Sequence, residues 1–316
     1  AGNGEERTDF AVGRLDEFHA GAARLEHPVF YIVDLGQLPD VEGVPLDGLV
    51  GYELFTRFGT TIDYARREFV LTAADRFAPP AGAAAIPFDM DDRVPIVQAT
   101  LGGLPARITI DTGSRSSLTL HSPFVRANDL VARYHAAAES VIGWGIGGAV
   151  RGRVARLPTL VIGDQHVDGI AGDLFTGDKG SYANPDLSGN LGSGVLRRFT
   201  VAFDYAGKKM YLAPNAEFGK PDAFDRSGLW LLRDGDKLQV TDVVAGTAAD
   251  RAGLRVSDRI VAFDDEPVGT RSLAAWRVRL RESAAGTSLR VRFERSAETK
   301  STTLTLAERL PAVAAK

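Results

Sequence analysis

The sequence predicts a mainly β protein: two related lobes, the first incomplete at its N-terminal side, followed by a third domain of different pattern. Three observations carry this. A block of 24 residues recurs 141 positions later. Short apolar strands alternate with turns rich in the chain's 34 glycines and 15 prolines. Beyond residue 226 the pattern changes, and a helical spacing appears among strands. The domains read from these patterns span 1–77, 78–215 and 222–310, in line with the two or three that 316 residues suggest.

The repeat sets 48–71 against 189–212 without a gap, with eight identities, among them Gly48/Gly189, Gly51/Gly192, Arg57/Arg198, Phe58/Phe199 and Asp63/Asp204. Asp34-Leu35 also matches Asp173-Leu174. Each copy predicts an apolar–Gly step where the chain passes close behind another loop. A short helix (53–58, 195–199) and a hairpin turning at Tyr64 or Tyr205 come next. The second copy has a full first half, residues 86–188; residues 1–36 match only the stretch beyond about residue 145. The opening Ala1-Gly-Asn-Gly-Glu-Glu reads as neither a natural start nor a domain start, so a truncated or processed chain is the expectation. Stretches 72–85 and 213–226 read as linkers, and the tail from Pro311 as unstructured.

In the second copy, the runs 94–101 and 104–110 read as a hairpin closed by Gly102-Gly103. The second strand delivers Asp111 onto a tight turn, Asp111-Thr112-Gly113-Ser114, and a strand pattern resumes at Ser117. Gly113 lets the backbone approach the carboxylate, and the hydroxyls of Thr112 and Ser114 can orient it. Gly143-Trp-Gly-Ile-Gly-Gly148 formally fits a dinucleotide fingerprint, but alternation and Pro158 come after it where a helix is required. A glycine-rich hairpin tip fits better.

Net charge is −4, from 37 basic and 41 acidic residues, so no nucleic-acid surface is implied. The absence of cysteine excludes disulfides, thiol catalysis and thiolate metal sites. No apolar run is long enough for a membrane span. The five histidines form no metal-binding pair, and Gly192-Ser-Gly194 is not a serine-nucleophile motif, so neither a metal nor a cofactor is expected. Asp164, Asp173 and Asp186 read as solvated loop residues.

Taken together, residues 86–214 resemble one lobe of the retropepsin-like (pepsin-like) aspartic peptidases: hairpin, Asp-Thr-Gly-Ser, flap, apolar–Gly step, short helix and final hairpin. The resemblance implies β-barrel lobes paired about a pseudo-twofold axis. It implies that Asp111 is a catalytic carboxylate, that Thr112 braces the partner loop, that Ser114 hydrogen-bonds Asp111, and that Gly113 allows close approach. Trp144, Gly145 and Gly147 would form a flap over substrate. Residues 227–307 resemble a PDZ domain of the bacterial arrangement: Gly228-Leu229-Trp230-Leu231 takes the place of the peptide-receiving loop and strand, Trp230 replaces the usual second glycine, and 271–282 forms the facing helix. The resemblance implies that protein C-termini bind beside 229–232, with the carboxylate held by backbone N–H groups near Gly228.

The expected activity is therefore that of an aspartic endopeptidase, hydrolysing peptide bonds through a water activated between two aspartates, with a PDZ domain that binds or senses C-termini. The sequence has one Asp-Thr/Ser-Gly, so the second aspartate must come from elsewhere: a missing N-terminal half of the first lobe, or Asp111 of a second copy in a homodimer. The alternative is a catalytically incomplete peptide-binding protein acting through its PDZ domain. The resemblance also implies a bacterial protein, periplasmic or secreted.

Overall fold

The structure, a computed structural model, describes residues 9–311 and is mostly β. The expected readings at Ala1 and beyond Pro311 lie outside the described residues. No helix among these residues is long and apolar enough to cross a membrane.

The 94–110 hairpin forms as its pattern requires. Strand Val94–Leu101 pairs with Leu104–Ile110, Leu101 opposite Leu104, through Gly102 and Gly103, both at positive φ (54° and 85°). These strands belong to a ten-stranded sheet. Its order runs from the hairpin Ser140–Gly145/Gly148–Arg156 through Ala171–Phe175, Leu118–Leu120, Gly189–Leu191, Leu104–Ile110 and Val94–Leu101 to the hairpin Leu160–Ile162/Gln165–Val167. The two end hairpins do not pair with one another, so the expected barrel is instead an open sheet.

The repeat is a structural one. Strands Phe58–Asp63 and Glu68–Ala73 of the first copy, and Phe199–Asp204 and Lys209–Pro214 of the second, form one five-stranded sheet with Ala84–Pro87. At its centre Thr61 faces Ala202, and these residues are 141 positions apart, the offset of the repeat. Thr60–Phe203 and Ile62–Val201 flank that pair symmetrically, so a pseudo-twofold axis passes through it. The turns match as well: Arg67 and Lys208, equivalent positions, both take left-handed backbone (φ 59° and 50°). Leu54 and Phe55 pack in one core with Val195, Leu196 and Phe203, so neither copy buries its apolar face alone. The last two residues of the first expected linker, 84 and 85, belong to this sheet's edge strand, Ala84–Pro87.

The first copy lacks half of its surroundings. In the second, Ala171–Phe175 lies between Gly148–Arg156 and Leu118–Leu120, and Gly189–Leu191 lies between Leu104–Ile110 and Leu118–Leu120. Among the described residues, the corresponding strand Val29–Val33 pairs only with Phe10–Arg14, and 48–50 pairs with nothing. Tyr31, Ile32 and Val50 are 58%, 63% and 44% exposed, whereas Leu191, the counterpart of Val50, is fully buried.

The C-terminal unit is a six-stranded sheet with Leu229–Asp234 at its edge and helix Leu273–Glu282 packed against it. The Ser272 hydroxyl caps the helix by accepting from the Ala275 N–H at 3.2 Å. Leu273, Trp276 and Leu280 bury the face their spacing predicts, and the Trp276 indole donates to the Val268 carbonyl at 2.9 Å.

The second expected linker, 213–226, is instead a strap fixed to the lobe. Asp222 is buried, takes Arg198 at 2.8 Å, and accepts from the Ser117 hydroxyl (2.6 Å) and the Ala171 N–H (3.0 Å). A buried carboxylate needs such partners, and a plain linker would not supply them.

Candidate active site

Asp111 stands where strand Leu104–Ile110 ends. Its own N–H donates to the Leu191 carbonyl at 2.9 Å, locking the turn onto the neighbouring strand. Its Oδ1 accepts from the N–H groups of Gly113 (3.0 Å) and Ser114 (3.2 Å). Its Oδ2 accepts from Asn190 Nδ2 at 3.3 Å, and the Asn190 amide oxygen accepts from the Thr109 hydroxyl at 2.7 Å. Three N–H donors thus fix the orientation of one carboxylate.

Ser114 reaches Asp111 through its backbone, while its carbonyl accepts from both the N–H and the hydroxyl of Ser193, each at 2.7 Å. This joins the Asp111 loop to the apolar–Gly step. The joint is tight: a Cβ on Gly192 would lie 2.2 Å from the Ser116 carbonyl oxygen, and one on Gly189 would lie 2.7 Å from that of Thr119. At the equivalent first-copy glycines, Gly48 and Gly51, a Cβ would meet nothing within 4 Å among the described residues. Thr112 makes no side-chain hydrogen bond among the described residues, and no partner loop stands there for it to brace.

The flap expectation corresponds to the hairpin Ser140–Gly145/Gly148–Arg156, turning at Ile146-Gly147. It is moored to the C-terminal domain. Asp242, buried, accepts from the Val141 N–H at 2.8 Å and from Arg151 Nη1 at 3.3 Å.

Asp111, Gly113, Ser114, Trp144 and Gly145 line the same cleft, of about 910 Å³, as Leu229, Trp230 and Leu231. Of the residues singled out from sequence, Thr112, Gly147 and Gly228 are not in its walls. The carboxylate site and the expected peptide groove therefore open into one space.

Two expectations need correction. Asp173 is not a solvated loop residue; it lies buried on strand Ala171–Phe175 and lines the cleft. Burial pushes its carboxyl up to about 7; the Ser116 and Thr119 hydroxyls oppose the shift and the negative charge of Asp222 adds to it. The N–H groups near Gly228, expected to hold a peptide carboxylate, already hold one. Asp225 accepts from the Ser227 N–H (3.2 Å) and hydroxyl (2.6 Å) and from the Gly228 N–H (2.7 Å), and Arg309 pairs with it at 2.8 Å. The Leu229 N–H donates to the Ser227 hydroxyl at 3.1 Å.

From the first copy, Tyr64 comes near Asp111. Its hydroxyl is buried without a hydrogen-bond partner among the described residues, and burial, with the negative charge of Asp111, raises it to about 12. Asn190, Asp225 and Asp242 were not singled out from sequence, where no local pattern marks them. For Asp173 a signal did exist, its match to Asp34 in the repeat.

Residues 239–295 match the family model of the PDZ domain, so the chain carries a PDZ domain toward its C-terminal end. Among solved structures, the chain is similar to a retropepsin-like aspartic protease from Rickettsia conorii, at 18% identity, covering 43% of this chain and 94% of that one, with a TM-score of 0.31. It is also similar to an aminopeptidase N family protein from Idiomarina loihiensis, at 22% identity and a TM-score of 0.25, covering 29% of this chain and 15% of that one. No curated protein matches the chain.

Proposed function

We propose that this PDZ-containing chain acts as an aspartic endopeptidase, with Asp111 as one of two carboxylates and a polypeptide lying in the cleft beside it. One carboxylate takes a proton from water as the water oxygen bonds to the scissile carbonyl carbon. The other, protonated, gives its proton to the leaving nitrogen. The C–N bond breaks to yield an acid and an amine, with no covalent enzyme intermediate. The glycine-rich hairpin at Trp144 closes over the substrate and excludes water.

The observation that carries this reading is the contrast at Gly48 and Gly51, where among the described residues a Cβ would meet nothing within 4 Å. Their counterparts Gly189 and Gly192 are packed against the Asp111 loop and the strand beyond it. Symmetry about Thr61 and Ala202 sets an equivalent position in the first copy, where exposed Ile32 and Val50 offer an apolar bed. A segment carrying a second Asp-Thr/Ser-Gly turn, docked there, would stand across the axis from Asp111.

The test is cleavage of an unfolded protein substrate from acidic to neutral pH by the chain and by its Asp111→Asn variant. Cleavage that is lost in the variant supports the assignment. A steep dependence on chain concentration would assign the second carboxylate to Asp111 of another copy. Equal cleavage by both proteins would refute the role of Asp111.

A further inference from the structure

We propose that residues 36–49 form an autoinhibitory strap: the strap shuts one side of the Asp111 cleft and the open side of the PDZ edge strand together, and it must swing out before a polypeptide reaches Asp111. The proposal rests on the reading of the cleft as a polypeptide site, and it adds how access to that site is regulated.

The strap lies between Asp34-Leu35 and Gly48, so its counterpart in the second copy lies between Asp173-Leu174 and Gly189. That counterpart, 175–188, is polar and stays on its own lobe. The Ser188 N–H donates to the Arg107 carbonyl at 2.8 Å, and the Arg107 guanidinium donates to the Asp186 carbonyl at 2.8 Å. The strap instead carries Leu38, Val41, Val44, Leu46 and Leu49, and it turns toward the PDZ domain.

Its contacts reach every part of the cleft. Helix Leu38–Glu42 packs against strand Leu229–Asp234, on the side that Lys237–Val243 leaves open, and against the flap strand Ser140–Gly145. Gly43 closes on the start of the facing PDZ helix, where a Cβ on it would lie 2.6 Å from that of Leu273. Glu42 pairs at 3.2 Å with Arg115, just beyond the Asp111 turn. Its charge also reaches Arg277 on the PDZ helix: burial, with the positive charge of Arg115, lowers that guanidinium to about 9, and Glu42 opposes the shift. Leu38, Glu42, Val44, Leu46 and Leu49 line the cleft that holds Asp111 and Trp144. One segment thus touches the Asp111 loop, the flap hairpin, and both the strand and the helix of the PDZ groove.

The hold is built to release locally. The helix has five residues, with Pro39 in its first turn and no side-chain cap, too few to be stable without its neighbours. Gly36 and Gly43 bracket it at positive φ (55° and 71°), and such residues can absorb a hinge movement. Val41 is fully buried, yet among the described residues it joins none of the apolar cores. Lifting the strap therefore uncovers Val41 without opening the lobe or the PDZ domain, a local opening that needs no global unfolding.

Binding of dye-labelled, carboxymethylated α-lactalbumin, an unfolded protein, is measured by fluorescence anisotropy on the full chain carrying Asp111→Asn, which leaves the probe intact. Adding Val41→Asp releases the strap. A site open in a tenth of the molecules or fewer binds at least about tenfold more weakly than one always open, so the released chain should bind at least about tenfold more tightly. Hydrogen exchange should rise together in 38–44, 140–145 and 229–234, and stay unchanged in the hairpin 94–110. The chain has no cysteine, so Glu42→Cys with Arg115→Cys can be bridged by a short bis-maleimide. Bridging should weaken binding at least about tenfold relative to the same chain before bridging, a comparison that stands even if Val41→Asp folds poorly. Equal binding with and without Val41→Asp, equal binding before and after bridging, no saturable binding by any of these chains, or exchange that rises in 38–44 alone would overturn the proposal. Equal cleavage by the chain and its Asp111→Asn variant would refute the peptidase reading and leave these binding and exchange readouts untouched.

Discussion

Replacing Asp222 by alanine strips the partner from Arg198 inside the lobe. Both side chains are buried, at 6% and 3% exposure, and their nitrogen–oxygen distance is 2.8 Å. Arg198 keeps one other contact, to the Asp168 carbonyl at 2.8 Å, while the Ser117 hydroxyl and the Ala171 N–H lose their acceptor. Leaving a buried charge unpaired costs ~3–5 kcal/mol. For a unit of this size that lowers the unfolding midpoint on the order of 10 °C. The repeat supplies the control. Arg57 is the equivalent of Arg198, but it pairs with Glu53 at the surface with 43% of its side chain exposed. Glu53→Ala therefore costs less than about 1 kcal/mol. The assay is thermal unfolding followed by circular dichroism for the two single variants and for Arg198→Met with Asp222→Leu. An apolar pair of similar size should recover most of the loss, because it removes the desolvation penalty of both ions. Equal midpoints for Asp222→Ala and Glu53→Ala would rule out burial as the source of the cost.

The same contacts carry three further predictions. Asp173, raised to about 7 from an ordinary 3.8, binds its proton more tightly folded than unfolded, so it stabilises the protein below about pH 4 and that stabilisation is lost as pH rises toward 7. Asp173→Asn should remove this slope, up to ~1.4 kcal/mol per pH unit, from urea midpoints measured across that window. Gly189→Ala should cost ~1–3 kcal/mol, because its Cβ would press on a backbone carbonyl 2.7 Å away. Gly48→Ala, whose Cβ would meet nothing within 4 Å among the described residues, should stay within about 0.5 kcal/mol in the same unfolding assay. Asp242→Ala releases the Val141 N–H and Arg151, and hydrogen exchange across 140–145 should accelerate by roughly tenfold or more, as expected from losing a charge-assisted bond of ~1.5–3 kcal/mol.

How much of this was legible in the sequence depended on how local the cause was. The 94–110 hairpin was legible because alternation and a glycine pair act within a few residues, and both glycines take the backbone that only they adopt cheaply. The Asp111 turn and the helix carrying Leu273, Trp276 and Leu280 were legible for the same reason. The repeat extended that reach, since the 141-residue offset marked the strands that pair about Thr61 and Ala202. The features that escaped were polar and long-range. Asn190 meets Asp111 across 79 positions, Asp242 meets Val141 across 101, and Asp222 meets Ser117 across 105. Single aspartates and asparagines have no periodicity, so nothing distinguished Asp222 from a linker residue or, within its own loop, Asp173 from a solvated one. Asp225 defeated the expected peptide-terminus site in the same way, by filling from three residues upstream a nest that Gly228 helps to shape.

If the first copy is shaped to accept an Asp-Thr-Gly segment opposite Asp111, supplying that segment should complete the site. The decisive experiment fuses a second copy of residues 86–139, which carry that turn, ahead of residue 9, and follows cleavage of an unfolded protein at acidic to neutral pH. Cleavage should rise well above that of the unfused chain and be abolished by replacing either aspartate with asparagine, and Gly48→Ala should become costly. A fused chain that folds, buries Val50 and still cleaves nothing would contradict the proposed pairing of the two carboxylates.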